Sequence, residues 1–472
     1  MSPRRPPSFR TTRLLSIGRR LLFASVIIAG LAIPVRAHVG ALGGAARTTT
    51  VPSWLTIITG GGVVGASFLF ASFMTDHETI QAINRREFAL SLPTSLAGGV
   101  VGLARIVGVL GLGLVLLSGL FGPRSALLNF AILVVWAGWW AGYTMSIYLV
   151  GNTWPAINPW RTIAQYLPRV GEFTYPERLG VWPSVVGLLG LVWFEVVSPV
   201  ATAPRLLASA IIAYTVATLL GAAIYGPDVW FDRVDPVSKV FRWYGRLAPI
   251  QRTDDGLSWS LPGSTLVSDV SIKREHVPFV IALLWATTYD GLVSTSAWAA
   301  VARLVVGLGV PALLVYLLGI AAGFWLFLTL YRVAARWARG TADTYVTADA
   351  IERRFIPSLL PIAAGYHLAH FLGYFLGLST VLIGVLPHPL GGAPPPRALV
   401  LPDWFGSLGL VFVVGGHLLA IWLSHAIAFD FLPGRLQPIR SQYPFIVIMI
   451  FYTIVSMWIV AQPYNSPPFV AG

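Results

Sequence analysis

Residues 357–386 read PSLLPIAAGYHLAHFLGYFLGLSTVLIGVL, a stretch without any Asp, Glu, Lys or Arg. About 20 apolar residues let an α-helix cross the hydrocarbon core of a bilayer, so this stretch predicts a transmembrane helix. Similar stretches recur along the chain and predict an all-α, polytopic membrane helical bundle of about ten transmembrane helices. We place the spans at 53–74, 102–122, 126–150, 179–198, 204–225, 277–297, 303–332, 357–386, 405–429 and 442–462.

The composition points to the same lipid environment. Of the 472 residues, 56% are hydrophobic and only 11% are charged, too few charges to cover the surface of a water-soluble protein. The net charge of +13 lies mostly in short loops, where positive-inside topology explains it without a nucleic-acid partner. Because the chain has no cysteine, disulfides, thiolate metal sites and a cysteine nucleophile are excluded.

The first 37 residues have the organisation of a secretory signal peptide. Six arginines precede or flank the apolar segment Leu21–Val35, and Val35-Arg36-Ala37 offers small residues where a signal peptidase cleaves. Cleavage would make His38 the first residue of a single transmembrane domain, 38–472; the alternative is an uncleaved signal-anchor helix. In both cases the chain after residue 38 begins outside the cell.

With that start the loops alternate between the two sides, and arginines concentrate in the predicted inner loops. We therefore predict a multi-pass plasma-membrane protein with its mature N-terminus outside. The longest inner loop, 226–276, interleaves apolar and basic residues over Val237–Leu247, which is typical of an amphipathic helix on the inner membrane face. The inner-loop arginines outside this segment are Arg85, Arg86, Arg161, Arg169, Arg178, Arg336, Arg339, Arg353, Arg354, Arg435 and Arg440.

Histidines at membrane depth are the first candidates for chemistry, because ionisable groups are expensive to bury in lipid. His367 and His370 share one helix face, and His417 lies near the middle of the next span. Three converging imidazoles could bind a divalent transition metal, zinc or copper; the alternatives are hydrogen bonds between helices or a proton relay. His425 follows His417 by two turns, nearer the inner face.

A second group of polar residues is predicted near the outer face. Glu195 and Asp290 are candidate catalytic bases there if the packing brings them to the histidines. A free amine at His38, together with its imidazole, could chelate copper.

A proline-broken segment on the inner side is a candidate binding site for a cofactor or anion. Its prolines forbid a regular helix, and Asn152, Asn158 and Arg161 could hold an anion or cap neighbouring helices.

Several short pieces of the chain, scattered in one order over nearly its whole length, resemble the multi-spanning bacterial and archaeal membrane proteins known as fenitrothion (organophosphate) hydrolases. The resembling pieces are Ala37-His38, Asn152 through Arg161, Tyr175-Pro176-Glu177-Arg178-Leu179-Gly180, Trp193-Phe194-Glu195, Tyr244 through Pro249, Thr287 through Gly291, Ala369-His370-Phe371, and Gly416-His417 with His425. The resemblance implies a membrane protein of this class and, more loosely, hydrolysis of an organophosphate.

Two features depart from the family pattern. Ala426 stands directly after His425, where the pattern has an acidic residue, and His367 has no counterpart in the pattern. The resemblance therefore favours His370, His417 and His425 as the histidine set.

Three functions remain open at this point. The first is metal-dependent hydrolysis of a small apolar ester, with Asp290 or Glu195 as base. The second is metal handling or electron transfer, with copper or a haem held by residues such as His370 and His417. The third is a transporter, or a scaffold subunit of a larger membrane complex, in which the ionisable groups relay protons.

Overall fold

The computed structural model describes residues 53–90, 94–171, 173–253, 256–402, 404–463 and 465–470. Almost all regular structure in these ranges is helical, which confirms the predicted all-α, polytopic membrane bundle. The β-structure in the same ranges is a small three-stranded antiparallel sheet that the sequence did not predict.

The longer elements follow one another with short turns and loops between them. In chain order they are α1 (Ser53–Ser72), α2 (His77–Asn84), β1 (Glu87–Leu90), α3 (Thr94–Phe121), α4 (Phe130–Leu149), α5 (Trp154–Ile157), α6 (Pro159–Ala164), α7 (Trp182–Val197), α8 (Pro204–Tyr225), α9 (Pro236–Gly245), β2 (Ile250–Thr253), β3 (Gly256–Ser260), α10 (His276–Val293), α11 (Ser296–Gly307), α12 (Ala312–Ala342), α13 (Ala348–Phe355), α14 (Leu360–Val385), α15 (Phe405–Phe431) and α16 (Leu436–Val460).

The number of full-length spans is lower than predicted: eight helices of the described residues are long and apolar enough to cross a membrane. The predicted span 53–74 belongs to a helix that bends by 117° into α2, and 179–198 holds α7 with only 16 residues. Sixteen residues rise about 24 Å, less than the ~30 Å hydrocarbon core. The predicted span 303–332 is divided between α11 and α12, because Gly309 has a φ of 94° and Pro311 follows it.

Helices α14 and α15 approach each other closely at two glycines. A Cβ at Gly365 would lie 2.6 Å from the Phe412 carbonyl oxygen, and a Cβ at Gly416 would lie 2.5 Å from the Pro361 carbonyl oxygen. The missing side chains therefore set the distance between the two backbones, as small residues do in membrane helix pairs. His417, the neighbour of Gly416, is fully buried at this contact.

Helix α4 widens into π-helical turns over Leu133–Tyr143. Hydrogen bonds from residue i to i+5 enlarge each turn, so residues four or five apart lie near the same face. Gly138 and Gly142 face α14, where added Cβ atoms would meet Leu382 and Phe375. The aromatic residues of the same segment lie on a different face of the helix from these glycines.

The arginine-rich loops meet at one end of the bundle, which we call the basic end. Arg354 of α13 pairs with Asp430 of α15 at 2.6 Å and donates to the carbonyl oxygens of Val267 and Asp269. Helix α9 lies at this end, in the stretch predicted to form an amphipathic helix. Eight of its ten residues are buried, Lys239 among them, so it packs into the bundle rather than on the membrane face.

The α14–α15 contact yields the first prediction. Gly416→Ala should lower the melting temperature of the detergent-purified protein by several degrees, because its Cβ meets backbone, and overpacking costs about 1–3 kcal/mol. Gly415→Ala is the matched control, since a Cβ there meets no atom within 4 Å. Equal melting temperatures for the two variants would contradict the close contact.

Candidate functional site

A cavity of about 440 Å³ lies inside the bundle between α3, α4, α7, α8, α9 and α10. Its walls are almost entirely apolar and aromatic. The π-helical turns of α4 contribute Trp136, Trp139, Trp140 and Tyr143 to the wall. Such a concave, apolar space with few polar groups is typical of a small-molecule site.

Two carboxylates are the charged groups among the described residues that line this cavity: Glu195 of α7 and Asp290 of α10. Each lies within one turn of the end of its helix. The two helices pack side by side. Their first residues lie at the same level, because Gly180, just before α7, lies against the side chain of Glu275, just before α10. Both carboxylates therefore lie at the same level, at the end of the cavity away from the basic end.

Asp290 is paired with a histidine. Its Oδ2 lies 3.2 Å from His370 Nε2, and the two side chains are only 14% and 12% exposed. The sequence placed Asp290 near the outer face and His370 at the midplane; packing of α10 against α14 brings them together. The His370 ring also contacts the ring of Phe371, which itself lines the cavity.

Glu195 lines the same cavity as Asp290, from the neighbouring helix α7. The Tyr374 side chain of α14 lies within electrostatic reach of the Glu195 carboxylate, so α14 connects both acidic groups. The two predicted catalytic residues thus face one cavity, although sequence distance gave no indication of it.

The other predicted metal ligands lie in separate surroundings. His367 Nδ1 lies 3.1 Å from the Tyr148 hydroxyl, and its ring is surrounded by aromatic rings. His417 Nδ1–H donates to the Val413 carbonyl oxygen of its own helix at 2.8 Å. The His367–Tyr148 contact joins two helices, an alternative to a metal that the sequence left open, whereas the His417 bond stays within α15.

His425 uses both ring nitrogens within the protein. Its Nε2–H donates to the Met74 carbonyl oxygen at 2.8 Å, and its Nδ1 accepts from the Gln442 amide at 3.3 Å. A neutral imidazole has one donor and one lone pair, so none is left for a metal.

The predicted three-histidine metal site therefore does not form from His370, His417 and His425. Among the described ranges, no group of three or more His, Asp or Glu side chains could hold a metal ion. The remaining predicted ligand, His38, lies outside the described residues.

The proline-broken segment closes the basic end of the cavity with Trp154, Pro159 and Trp160. Its three predicted binding residues all make structural bonds within the chain. Asn152 accepts from the Trp154 backbone N–H at 3.1 Å, Asn158 accepts from the Arg161 N–H at 3.0 Å and donates to Ser238, and Arg161 pairs with Asp228 at 2.6 Å. Capping, the alternative given by the sequence, is the role of Asn158, whereas Asn152 makes a local turn bond and Arg161 forms an ion pair.

The aromatic wall is the part of the site that the sequence analysis missed. The signal was available in the spacing of Trp136, Trp139, Trp140 and Tyr143, which are i, i+3, i+4 and i+7 along one span and therefore share one helix face.

Comparisons of the chain with protein-family models, curated proteins and solved structures find no match. The structure itself shows an integral membrane helical protein whose apolar interior cavity carries two carboxylates.

The cavity yields a second prediction, based on Gly111 of α3. The lining residues of α3 fall on one helix face, and a Cβ at Gly111 would meet no atom within 4 Å. Gly111→Leu should therefore fill part of the cavity without a backbone clash and reduce photo-crosslinking of a neutral aryl diazirine to cavity peptides about tenfold.

Gly113→Leu is the matched control for this experiment. A Cβ at Gly113 likewise meets no atom within 4 Å, but this residue does not line the cavity. Equal labelling of the two variants would show that the probe binds elsewhere.

Proposed function

We propose that this protein takes a small, neutral, lipid-soluble ester into the cavity and hydrolyses it there by general acid–base catalysis. The observation that carries the proposal is the placing of Glu195 and Asp290 in an otherwise apolar cavity, with His370 hydrogen-bonded to Asp290. Ionisable groups at membrane depth are costly and usually functional, and a His–carboxylate pair is suited to moving a proton.

Asp290 is the group that touches the reacting atoms in this proposal. A water molecule attacks the phosphorus or carbonyl centre of the ester, and its proton passes to the Asp290 carboxylate. The bond to the leaving oxygen then breaks, and the leaving group takes the proton and departs as an alcohol or phenol. His370 acts as a positioning residue, since its Nε2 at 3.2 Å orients the carboxylate. The predicted metal has no ligand set among the described residues, so no step is assigned to it.

The apolar lining of the cavity and its two carboxylates favour one class of substrate. An anion would lose its hydration in the apolar cavity and would face two carboxylates, so a neutral triester or ester is favoured over a charged diester.

Access from the bilayer is supported by two exposed wall residues on different helices. Val107 of α3 and Leu191 of α7 both line the cavity, and they are 50% and 40% exposed. Helix α3 is itself little buried, since only 6% of its most apolar stretch lies inside the bundle. A substrate dissolved in lipid could therefore enter sideways between these helices.

The resemblance to fenitrothion hydrolases supports the same reaction class. Most of its pieces coincide with the site: Glu195, Asp290 and Phe371 line the cavity, and His370 pairs with Asp290. Gly416, His417 and His425 do not line it, so the resemblance at the ninth predicted span is better explained by helix packing.

The third prediction tests the reaction. In lipid nanodiscs, Asp290→Asn should lower kcat for a chromogenic phosphotriester about 10²–10⁴-fold, the usual contribution of a positioned general base. Asp228→Asn, which removes only the pair with Arg161 at the basic end, should retain wild-type turnover. Wild-type turnover in Asp290→Asn, or no turnover of neutral esters by the unchanged protein, would refute the proposal.

We further propose that the basic end faces the cytoplasm of a plasma membrane, as the positive-inside rule favours. The mature N-terminus and the carboxylate end of the cavity then lie on the outer side.

The fourth prediction tests this orientation with a single cysteine in a chain that has none. A membrane-impermeant maleimide should label Val400→Cys on intact cells but label Tyr345→Cys only after lysis. Both residues are strongly exposed, Val400 between α14 and α15 and Tyr345 at the basic end between α12 and α13. The reverse labelling would invert the orientation.

A further inference from the structure

The small sheet carries its apolar side chains on the outward face. Strand order is β1-β3-β2, and the register aligns Phe88 with Trp259 and Trp259 with Ile250. Residues directly opposite each other in antiparallel strands share a face. The next row of that face holds Leu90, Leu257 and Arg252.

The opposite face of the sheet is mostly polar, and its central strand turns toward the protein. Ser258 and Ser260 of the central strand are buried, whereas Phe88 is 60% exposed and Trp259 is 41% exposed. A half-buried sheet of a water-soluble protein has the reverse arrangement, with apolar side chains inward. The outward face of this sheet therefore requires a partner that tolerates apolar groups.

Two membrane spans fix the position of the sheet relative to the bilayer. Strand β1 ends at Leu90, shortly before α3 begins at Thr94. Strand β2 begins at Ile250, whose N–H donates to the carbonyl oxygen of Val150. Val150 is the residue directly after the end of α4 at Leu149. Because α3 and α4 both qualify as membrane spans, the sheet lies at the level where their basic ends leave the hydrocarbon core.

The apolar face also continues into the exposed end of α4 and is bordered by positive charge. Leu149 and Val150 are half exposed next to β2. Arg85 and Arg86 precede β1, and Arg252 lies on the outward face itself; all three are exposed.

We propose that the outward face of the sheet is a membrane anchor, lying in the boundary between headgroups and acyl chains of the leaflet at the basic end. Phe88, Leu90 and Trp259 would enter this boundary, where aromatic side chains are favoured, and Arg252 would meet the phosphates of anionic lipids. Lipid is preferred over a second protein as the occupant because the face is continuous with the exposed apolar end of the membrane span α4. The anchor does not depend on the proposed hydrolysis.

The experiment uses two neighbouring positions on opposite faces of β1, each as the single cysteine of the chain. Phe88→Cys and Ala89→Cys are both exposed sites, and each is labelled with a bimane fluorophore in nanodiscs that contain one copy of the protein. Lipids with a nitroxide near the headgroup should quench the Phe88 label and leave the Ala89 label largely unquenched. Quenching of the Phe88 label by aqueous iodide, with no effect of the nitroxide lipids, would overturn the proposal.

A second measurement tests the lipid charge. Replacing phosphatidylcholine by phosphatidylglycerol should strengthen nitroxide quenching of the Phe88 label. Arg252→Gln should reduce this gain, because one arginine changes the affinity of the sheet for an anionic membrane surface about fivefold. Arg336→Gln, an exposed arginine of α12, is the control and should leave the gain unchanged. An equal loss in both variants would mean that the whole basic end, and not the sheet, attracts anionic lipid.

Discussion

The exclusion of water from the bilayer interior is the constraint on which this structure depends. A polar group there must find its partner inside the protein, because lipid offers none. His417 bonds to its own helix, His425 bonds to Met74 and Gln442, and His370 bonds to Asp290. The histidines that looked like one metal site are thus distributed over separate hydrogen bonds, and the Nε2 atoms of His367 and His417 are buried without a hydrogen-bond partner in the described part of the chain.

Two segments of irregular backbone line the cavity. The π-helical turns of α4 place glycines against α14, and the proline-broken segment closes the basic end. The aromatic residues of α4 are three and four positions apart, a spacing that keeps them on one side of the helix. The apolar interior then makes the two carboxylates its most reactive groups, which is why the proposed chemistry is assigned to them.

The basic end has a different physical role from the cavity. Here Arg354 of α13 pairs with Asp430 of α15 and donates to the Val267 and Asp269 carbonyl oxygens, which ties the long loop to both helices, and Arg246 pairs with Asp269 within the loop itself. The loop therefore packs as part of the bundle, with α9 buried, and it leaves the three-stranded sheet as its apolar outer surface. A loop that appeared to be a simple surface helix contributes both a wall of the cavity and the proposed anchor.

The sequence by itself determined the class of protein, because long runs without charge can be stable only as helices in lipid, and hydropathy depends on local composition. It also identified Glu195, Asp290 and His370 as costly residues at membrane depth. It did not determine that Asp290 and His370 meet or that the other histidines do not, since 80 positions along the chain separate the pair and only helix packing decides such contacts. Gly309 and Pro311 mark the division of the 303–332 span in the sequence itself, although the sequence analysis did not use them. The sheet and the π-helical turns were decided by tertiary structure, because each depends on partners far away in sequence or on backbone geometry that composition does not encode.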